Sequence, residues 1–270
     1  ITLGLTHTVR ERKRFCHCES IKNVQSILQA ILENNLKRHN SSSNKSIQFF
    51  HLRNVSFQEP LWNQTLGHCA VVGNGGILNN SRCGQQIDKV DFVIRLNLPP
   101  LNNENDVGKK TSLVTANPTI LRSYTRKSFA KMMEVYGQAV VLMPAFSYVS
   151  CTEPSFRAYF TLKDFNLQNV TFFHPEYLLR LNNYWKSKGL LAQRLSSGMM
   201  LVSIALELCS KVTLYGFWPF SSSLNGKPIL HHYYDNVGPK QGVHKMSEEF
   251  LLYMQMHSKG LLQLKIGMCS

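Results

Sequence analysis

Three asparagines that could bind a nucleotide each follow a short apolar run: Asn74, Asn97 and Asn117. A side-chain amide offers a donor and an acceptor without charge, which suits ribose hydroxyls, the edge of a pyrimidine or a phosphate oxygen. Any one asparagine is as readily a turn former. Because all three occupy the same place relative to a predicted strand, we interpret them as parts of one binding site.

Glycines surround the first of these asparagines, in the order Gly73, Asn74, Gly75, Gly76. Glycine permits positive φ and lets a ligand approach the backbone closely, and N–H groups at a loop or helix start commonly receive a phosphate. An ordinary tight turn accounts for the same residues equally well. The glycines therefore favour a phosphate-binding loop without deciding for it.

A second candidate anion site precedes the strongly apolar helix predicted over residues 199–209. Ser196, Ser197 and Gly198 would supply an N-cap hydroxyl, exposed N–H groups and the positive end of the helix dipole. A plain N-cap is the alternative. Trp218 follows the next predicted strand, and its ring belongs either to the core or to a wall on which a base stacks.

Histidines supply the candidates for proton transfer and phosphate binding. His231 and His232 are neighbours on a predicted loop, where both cannot readily face one metal ion, so a hydrogen bond from one of them to a phosphate is the better interpretation. His244 lies five residues before Glu249, near the start of a predicted helix. The carboxylate could fix the tautomer of His244 and raise its basicity, as a general base requires, although the spacing alone is unspecific.

Alternating elements must position these residues. Continuous apolar runs predict seven buried strands, at residues 69–73, 91–96, 112–116, 139–143, 170–173, 211–216 and 262–266. Helical patterns fall at residues 118–135, 154–164, 175–188, 197–209 and 247–257. This alternation predicts an α/β domain with a mostly parallel sheet of about seven strands and helices on both faces. Ligands of such sheets gather at the carboxyl ends of the strands.

The first part of the chain differs in composition. Residues 20–36 carry apolar side chains at helical spacing and predict an amphipathic helix, which a Ser/Asn-rich linker follows. We expect residues 1–67 to form an N-terminal stem and residues 68–270 to form one compact domain. No apolar run reaches the length of a membrane span and no signal peptide is visible, so we expect a lumenal fragment without its targeting segment.

Composition restricts the ligand and the compartment. The formal net charge of +14 favours an anionic partner, but basic residues are not interleaved with aromatic ones as in a nucleic-acid groove, so nucleic acid is not expected. The seven cysteines lack zinc-site spacing, and disulfides are the better interpretation. Six Asn-X-Ser/Thr sequons indicate a glycosylated protein of the secretory pathway, at Asn40, Asn44, Asn54, Asn63, Asn79 and Asn169.

Four segments together resemble the sialylmotifs of the animal sialyltransferases, which use CMP-sialic acid as donor. Residues 69–117 resemble the large motif, residues 194–217 the small motif, residues 231–235 motif III and residues 244–249 the very small motif. The forms Gly-Asn-Gly-Gly-Ile-Leu and His-His-Tyr-Tyr-Asp-Asn look like the α2,8-sialyltransferase branch. Val-Thr-Ala-Asn-Pro looks most like the ganglioside GD3 synthase type within it. Leu96 in place of a cysteine and Ser197 in place of a threonine are departures that remove no essential functional group.

The resemblance implies a role for each candidate residue. One set would bind the donor: Asn74, Asn97, Asn117, Ser196, Ser197, Gly198, Trp218 and, at the phosphate, His232. His244 would be the general base, supported by Glu249. The implied disulfides are Cys69–Cys209 and Cys83–Cys269, which leave Cys16, Cys18 and Cys151 unassigned.

The resemblance also implies a fold and an activity. The fold would be a single Rossmann-like domain of the GT-A-variant sialyltransferase type. The activity would be inverting transfer of sialic acid from CMP-sialic acid to O8 of a terminal sialic acid on a glycolipid or glycoprotein, with one or a few residues added and no metal or other cofactor. The expected location is the Golgi lumen, with a membrane anchor N-terminal to this sequence, and a homo-oligomer is compatible with the family.

Two other classes of protein are alternatives to this one. A non-catalytic module that binds CMP-sialic acid or sialoglycans on the same fold stays open, although it would need neither His244 nor Glu249. A dinucleotide-dependent enzyme is disfavoured because the chain lacks Gly-x-Gly-x-x-Gly and an acidic residue at the second strand end.

Overall fold

A computed structural model describes residues 65–147, 149–167, 169–238 and 242–269. Several predicted features lie outside these residues: the amphipathic helix, the linker, Cys16, Cys18 and the sequons at Asn40, Asn44, Asn54 and Asn63. Asn79 and Asn169 lie within them and are exposed. In the described ranges, no helix is long and apolar enough to cross a membrane.

Seven strands form one parallel sheet. They are β1 (Leu66–Val72), β2 (Phe92–Arg95), β3 (Leu113–Thr115), β4 (Val140–Met143), β5 (Val170–Phe172), β6 (Cys209–Tyr215) and β7 (Gln263–Lys265). Their order is β5-β4-β3-β2-β1-β6-β7, and each neighbouring pair is parallel. The predicted α/β class and the number of strands are confirmed.

Eight α-helices accompany the strands in the described part of the chain. They are α1 (Gly84–Lys89), α2 (Glu104–Val107), α3 (Pro118–Ser123), α4 (Arg126–Met133), α5 (Val149–Asp164), α6 (Pro175–Ser187), α7 (Ser197–Leu208) and α8 (Met246–Ser258). Short 3-10 turns lie at Gly76–Leu78 and Glu134–Tyr136. The predicted bounds of α6, α7 and α8 agree with the structure to within one residue.

The sheet separates apolar layers because alternate residues of a buried strand face opposite sides. Val71 of β1 belongs to a cluster that includes Met199 of α7 and Phe250 of α8. Its neighbours Ala70 and Val72 belong to a different cluster, around α1. A third cluster joins β3 and β4 to α4 and α5. Helices therefore cover both faces of the sheet, as predicted.

Two helix predictions were wrong in detail. The segment predicted as one helix at 118–135 is α3 and α4, because Thr125 is extended and its Oγ1 caps α4 by accepting from the N–H of Ser128 at 3.3 Å. The helix predicted to begin at Pro154 begins at Val149 instead. Proline lacks the N–H that would bond the Ser150 carbonyl, and Nη2 of Arg122 donates to that carbonyl at 2.5 Å.

Two disulfides connect the first part of the sheet domain to later parts of the chain. Cys69–Cys209 connects β1 to the start of β6, and Cys83–Cys269 connects the residue before α1 to the C-terminal segment. Both are the pairs that the family resemblance implies. Cys151 is buried and belongs to neither disulfide.

Candidate functional site

The candidate site lies where the chain reverses its direction across the sheet. Strands β2 to β5 lie on one side of β1, whereas β6 and β7 lie on the other, and ligands of open parallel sheets bind at such a switch point. A cleft of about 1840 Å³ opens there. It is lined by all ten predicted site residues: Asn74, Asn97, Asn117, Ser196, Ser197, Gly198, Trp218, His232, His244 and Glu249.

The glycines after β1 serve the packing of loops rather than a ligand. A Cβ on Gly73 or Gly75 would lie 2.7 or 2.6 Å from the carbonyl oxygen of Gly216, and one on Gly76 would lie 2.1 Å from that of Leu230. The N–H groups of Gly73 and Gly75 donate to carbonyls at the end of β6 at 2.7 and 2.9 Å. None of the three glycines has a positive φ. Their interpretation as a phosphate-binding loop is therefore wrong, because protein backbone takes both their space and their N–H groups.

Asn74 connects three loops of the cleft. Its Nδ2 donates to the carbonyl of Leu96 at 2.9 Å and to the hydroxyl of Tyr234 at 3.3 Å. The carbonyl partner fixes which end of the amide is nitrogen. The Oδ1 atom is buried and has no hydrogen-bond partner among the described residues. A ligand N–H or O–H group could satisfy this acceptor, since buried polar atoms are rarely left unpaired.

The other two asparagines differ in what holds them. Asn97 has φ of 59°, a left-handed conformation that asparagine adopts more readily than most residues. Its Nδ2 lies 3.5 Å from Oγ of Ser197, which brings the loop after β2 to the start of α7. Asn117 caps α3, because its Oδ1 accepts from the N–H of Ile120 at 2.9 Å. The helix-cap role thus accounts for the side-chain oxygen of Asn117, and the residue also lines the cleft.

The start of α7 combines an N-cap with hydrogen bonds to a buried carboxylate. Ser196 is its N-cap, and its Oγ accepts from the N–H of Met199 at 3.0 Å. The hydroxyl of Ser196 donates to one carboxylate oxygen of Glu249, and its N–H donates to the other at 2.9 Å. The N–H groups of Ser197 and Gly198 have no partner within the helix and lie at the positive end of its dipole.

Glu249 is 1% exposed, and few other charged residues in the described part of the chain are buried. Burial raises the pKa of this carboxyl, and the hydrogen bonds from Ser196 and the nearby His244 act in the opposite direction. The carboxylate therefore joins the first turn of α8 to the start of α7.

His244 receives its orientation from a main-chain carbonyl. Its Nδ1 lies 3.0 Å from the carbonyl oxygen of Arg194 and donates to it, while the N–H of Arg194 donates to the carbonyl of Val243 at 3.1 Å. A proton on Nδ1 leaves the lone pair on Nε2, the form that a general base needs. The structure thus corrects the expectation that Glu249 holds the tautomer of His244. A hydrogen bond to a main-chain carbonyl cannot be predicted from the sequence, because every residue has that group.

His232 forms a pair with Asp235 that the sequence reasoning missed. Nδ1 of His232 donates to Oδ1 of Asp235 at 2.7 Å, and the imidazole stacks on the ring of Tyr234 at 5.1 Å with 18° between their planes. Burial alone would raise the pKa of Asp235, but the N–H of Val237 and the contact with His232 hold that pKa below its ordinary value. Burial raises the pKa of Tyr234 to about 12. The three-residue spacing of His232 and Asp235 is a signal that could have identified the pair.

Trp218 gives the cleft a rigid aromatic side. Its Nε1 donates to the carbonyl of Ser222 at 2.8 Å, and its ring packs edge-on against Phe220 and Phe250 with centroids 5.0 and 5.4 Å away. The ring is part of an aromatic cluster and also lines the cleft, and its role as a stacking wall stays a prediction.

The cleft therefore brings together the start of α7, His232 and His244. In residues 65–269, as far as the structure describes them, no three His, Cys, Asp or Glu side chains form a group that could hold a metal ion.

Solved structures show the same fold. The crystal structure of a mammalian sialyltransferase matches with a TM-score of 0.57 and 24% identity, over 85% of this chain and 82% of that one. A second one, a mammalian sialyltransferase in complex with Gal-beta-1-3GalNAc-ortho-nitrophenol, matches with a TM-score of 0.58 and 22% identity, over 93% of this chain and 87% of that one.

Curated relatives are more similar in sequence. The chain is 53% identical over 213 residues to the alpha-N-acetylneuraminide alpha-2,8-sialyltransferase of Xenopus laevis, covering 76% of this chain and 59% of that protein. It is 48% identical over 229 residues to alpha-2,8-sialyltransferase 8F of Mus musculus, covering 82% of this chain and 57% of that protein. The chain thus spans less than two thirds of the length of these relatives. The family model of glycosyltransferase family 29 (sialyltransferase) matches residues 15–261, and the chain belongs to this family.

Proposed function

We propose that this protein is an inverting α2,8-sialyltransferase that moves sialic acid from CMP-sialic acid to O8 of a terminal sialic acid. The position of His244 beside the start of α7 carries this proposal. A base and an anion-binding helix start are held together there by the bonds of Arg194 and Glu249. Relatives that are 53% and 48% identical to this chain are named alpha-2,8-sialyltransferases, which supports the same activity for this chain.

The bonds change in a single displacement. Nε2 of His244 takes the proton of the acceptor O8 hydroxyl as O8 forms a bond to the anomeric carbon of the donor. The bond from that carbon to the phosphate oxygen breaks, and its electron pair leaves with CMP. Attack from the face opposite the phosphate inverts the anomeric carbon. The N–H groups of Ser197 and Gly198, with His232, stabilise the charge that develops on the leaving phosphate.

The nucleotide would lie against the uncharged part of the cleft. We assign Asn74 and Asn97 to the CMP moiety, with Asn117 close by and Trp218 as a stacking wall. A monophosphate leaving group needs less charge neutralisation than a diphosphate, and a helix start with a histidine can supply it. Transfer should therefore continue in EDTA. Complete loss of transfer that a divalent ion restores would contradict metal independence.

The setting of the enzyme follows from the same family. We propose that it acts in the Golgi lumen, that a membrane anchor belongs N-terminal to this sequence, and that residues 1–67 form a stem ahead of the catalytic domain at 68–270. The acceptor is a sialylated glycolipid or glycoprotein. Asn79 and Asn169, both exposed, remain predicted glycosylation sites.

A transfer assay tests the activity. The protein is incubated with labelled CMP-sialic acid and a panel of sialylated and desialylated glycolipids and glycoproteins, and the linkage of the product is read by NMR. We expect product with the sialylated acceptors and a bond to O8. Absence of transfer to every acceptor, together with retained binding of CMP, would favour a non-catalytic binding module instead.

A further inference from the structure

The cleft contains few permanent positive charges, although the chain as a whole carries a net charge of +14. Among the described residues that line it, only Lys109 and Arg194 are lysine or arginine. Nζ of Lys109 pairs with the carboxylate of Glu104 at 2.5 Å, so its charge is offset locally. Most of the basic excess therefore lies outside the lining of the cleft.

Arg194 lies directly beside the base. Its carbonyl accepts the hydrogen bond from Nδ1 of His244 at 3.0 Å. Its N–H donates to the carbonyl of Val243, the residue before that histidine, at 3.1 Å. Its side chain is exposed and lines the cleft. Arg194 is therefore a permanent cation of the cleft lining that lies next to the proposed base.

A sialic acid acceptor brings a carboxylate to this place. The attacking O8 and the carboxylate belong to the same sugar, so a hydroxyl within reach of His244 carries an anionic group close to it. The planar fork of an arginine matches a carboxylate with two parallel hydrogen bonds, which a lysine cannot reproduce. The amides of Asn74 and Asn97 can donate a hydrogen bond to a carboxylate, but they carry no charge that would offset it.

We propose that the Arg194 side chain binds the carboxylate of the terminal sialic acid of the acceptor and so selects sialylated over neutral acceptors. This inference rests on the proposed function and names the group by which that function chooses its substrate. The main chain of Arg194 orients the base, and its side chain positions the molecule from which the base takes a proton.

The test compares sialyllactose with its carboxyl methyl ester as acceptors. For the wild type, the KM for the ester should be about tenfold or more above the KM for sialyllactose, because a charged hydrogen-bonded pair is lost. Arg194→Gln should raise the acceptor KM for sialyllactose by a similar factor and should no longer distinguish acid from ester. Arg194→Lys should keep part of the preference. Lys109→Gln is the matched control and should distinguish acid from ester as the wild type does.

Two results would overturn the inference. One is an Arg194→Gln variant that prefers the acid over the ester as strongly as the wild type does. The other is a rise in the KM for CMP-sialic acid with no change in the acceptor KM, which would assign the side chain to the donor carboxylate. If the wild type transfers to neither acceptor, the proposed function fails, and calorimetric titration of the CMP-loaded protein still decides the inference. Wild type must then bind sialyllactose more tightly than the ester, and Arg194→Gln must bind both alike.

Discussion

His244 and Glu249 lie five residues apart, yet each is bonded to a different residue of the segment before α7. The histidine bonds the carbonyl of Arg194, and the carboxylate bonds the N–H and hydroxyl of Ser196. The sequence indicated which residue types would meet in the cleft. It could not indicate this division of partners, because main-chain groups are the same at every position.

Glu249 should therefore act on the helix start rather than on the base. Glu249→Gln keeps the shape of the side chain but cannot accept from both the N–H and the hydroxyl of Ser196. We expect kcat/KM to fall about tenfold, with most of the change in the KM for CMP-sialic acid. A base supported directly by Glu249 would instead shift the acidic limb of the pH–rate profile in this variant. Such a shift, with an unchanged donor KM, would contradict the assignment.

The buried carboxyl of Glu249 should also make stability depend on pH. Burial raises its folded-state pKa above 4.5, so the folded protein binds this proton more tightly than the unfolded chain does. Its contribution to the free energy of unfolding is present below pH 4.5 and is lost as the pH rises through the folded-state pKa. Urea unfolding measures the free energy of unfolding at pH 5 and at pH 7.5. Between these two pH values, that free energy should fall more for the wild type than for Glu249→Gln.

Glu248→Gln is the control for that measurement. Its carboxylate is partly exposed and pairs with Lys245 at 3.2 Å. This variant should lose as much stability between the two pH values as the wild type does. An equal loss in Glu249→Gln as well would show that the buried carboxyl does not govern the effect.

At the scale of elements, alternation of apolar runs and helical patterns was sufficient to predict the sheet. All seven strands lie where continuous apolar runs predict them, because buried parallel strands carry apolar residues on both faces. The short helices α1 and α2 were not predicted, since six and four residues are too few to establish a helical period. The boundary at Thr125 depends on a side-chain cap that a periodicity analysis passes over.

The glycines after β1 were correctly predicted to lie at the cleft, but the reason given for them, a phosphate-binding loop, was incorrect. The glycines do mark the cleft, but they do so by letting two loops approach each other. We expect Gly75→Ala to lower the free energy of unfolding by about 1–3 kcal/mol, because its Cβ would lie 2.6 Å from the Gly216 oxygen.

Gly238→Ala is the matched control for the glycine prediction. A Cβ there would meet nothing within 4 Å, and Gly238 is not among the residues with positive φ. Urea unfolding should show a change in Gly75→Ala and none of note in Gly238→Ala. Equal stability of the Gly75 variant and the wild type would mean that the loops can move apart at little cost.

At the scale of the whole molecule, the disulfides connect residues far apart in the sequence. Cys69–Cys209 and Cys83–Cys269 close loops with sequence separations of 140 and 186 residues. The resemblance implied both pairs, whereas spacing alone left the connectivity open. Each disulfide should stabilise the fold mainly by restricting the unfolded chain.

Removal of one disulfide tests that view. The double variant Cys83→Ser with Cys269→Ser should lower the free energy of unfolding by about 2–5 kcal/mol while the Cys69–Cys209 pair remains. Unfolding in urea under oxidising conditions measures the difference. Under reducing conditions the free energies of unfolding of the wild type and the variant should differ less. A variant as stable as the oxidised wild type would contradict the prediction.

The most direct test of the central claim is the steady-state rate of His244→Gln with CMP-sialic acid and a sialylated acceptor. The account predicts that kcat falls about 10²–10⁴-fold, while the KM for CMP-sialic acid changes little, because the base is lost and the anion site at α7 remains. His257→Gln, at an exposed histidine in the last turn of α8, should retain the wild-type rate. A kcat for His244→Gln equal to that of the wild type would contradict the assignment of His244 as the general base.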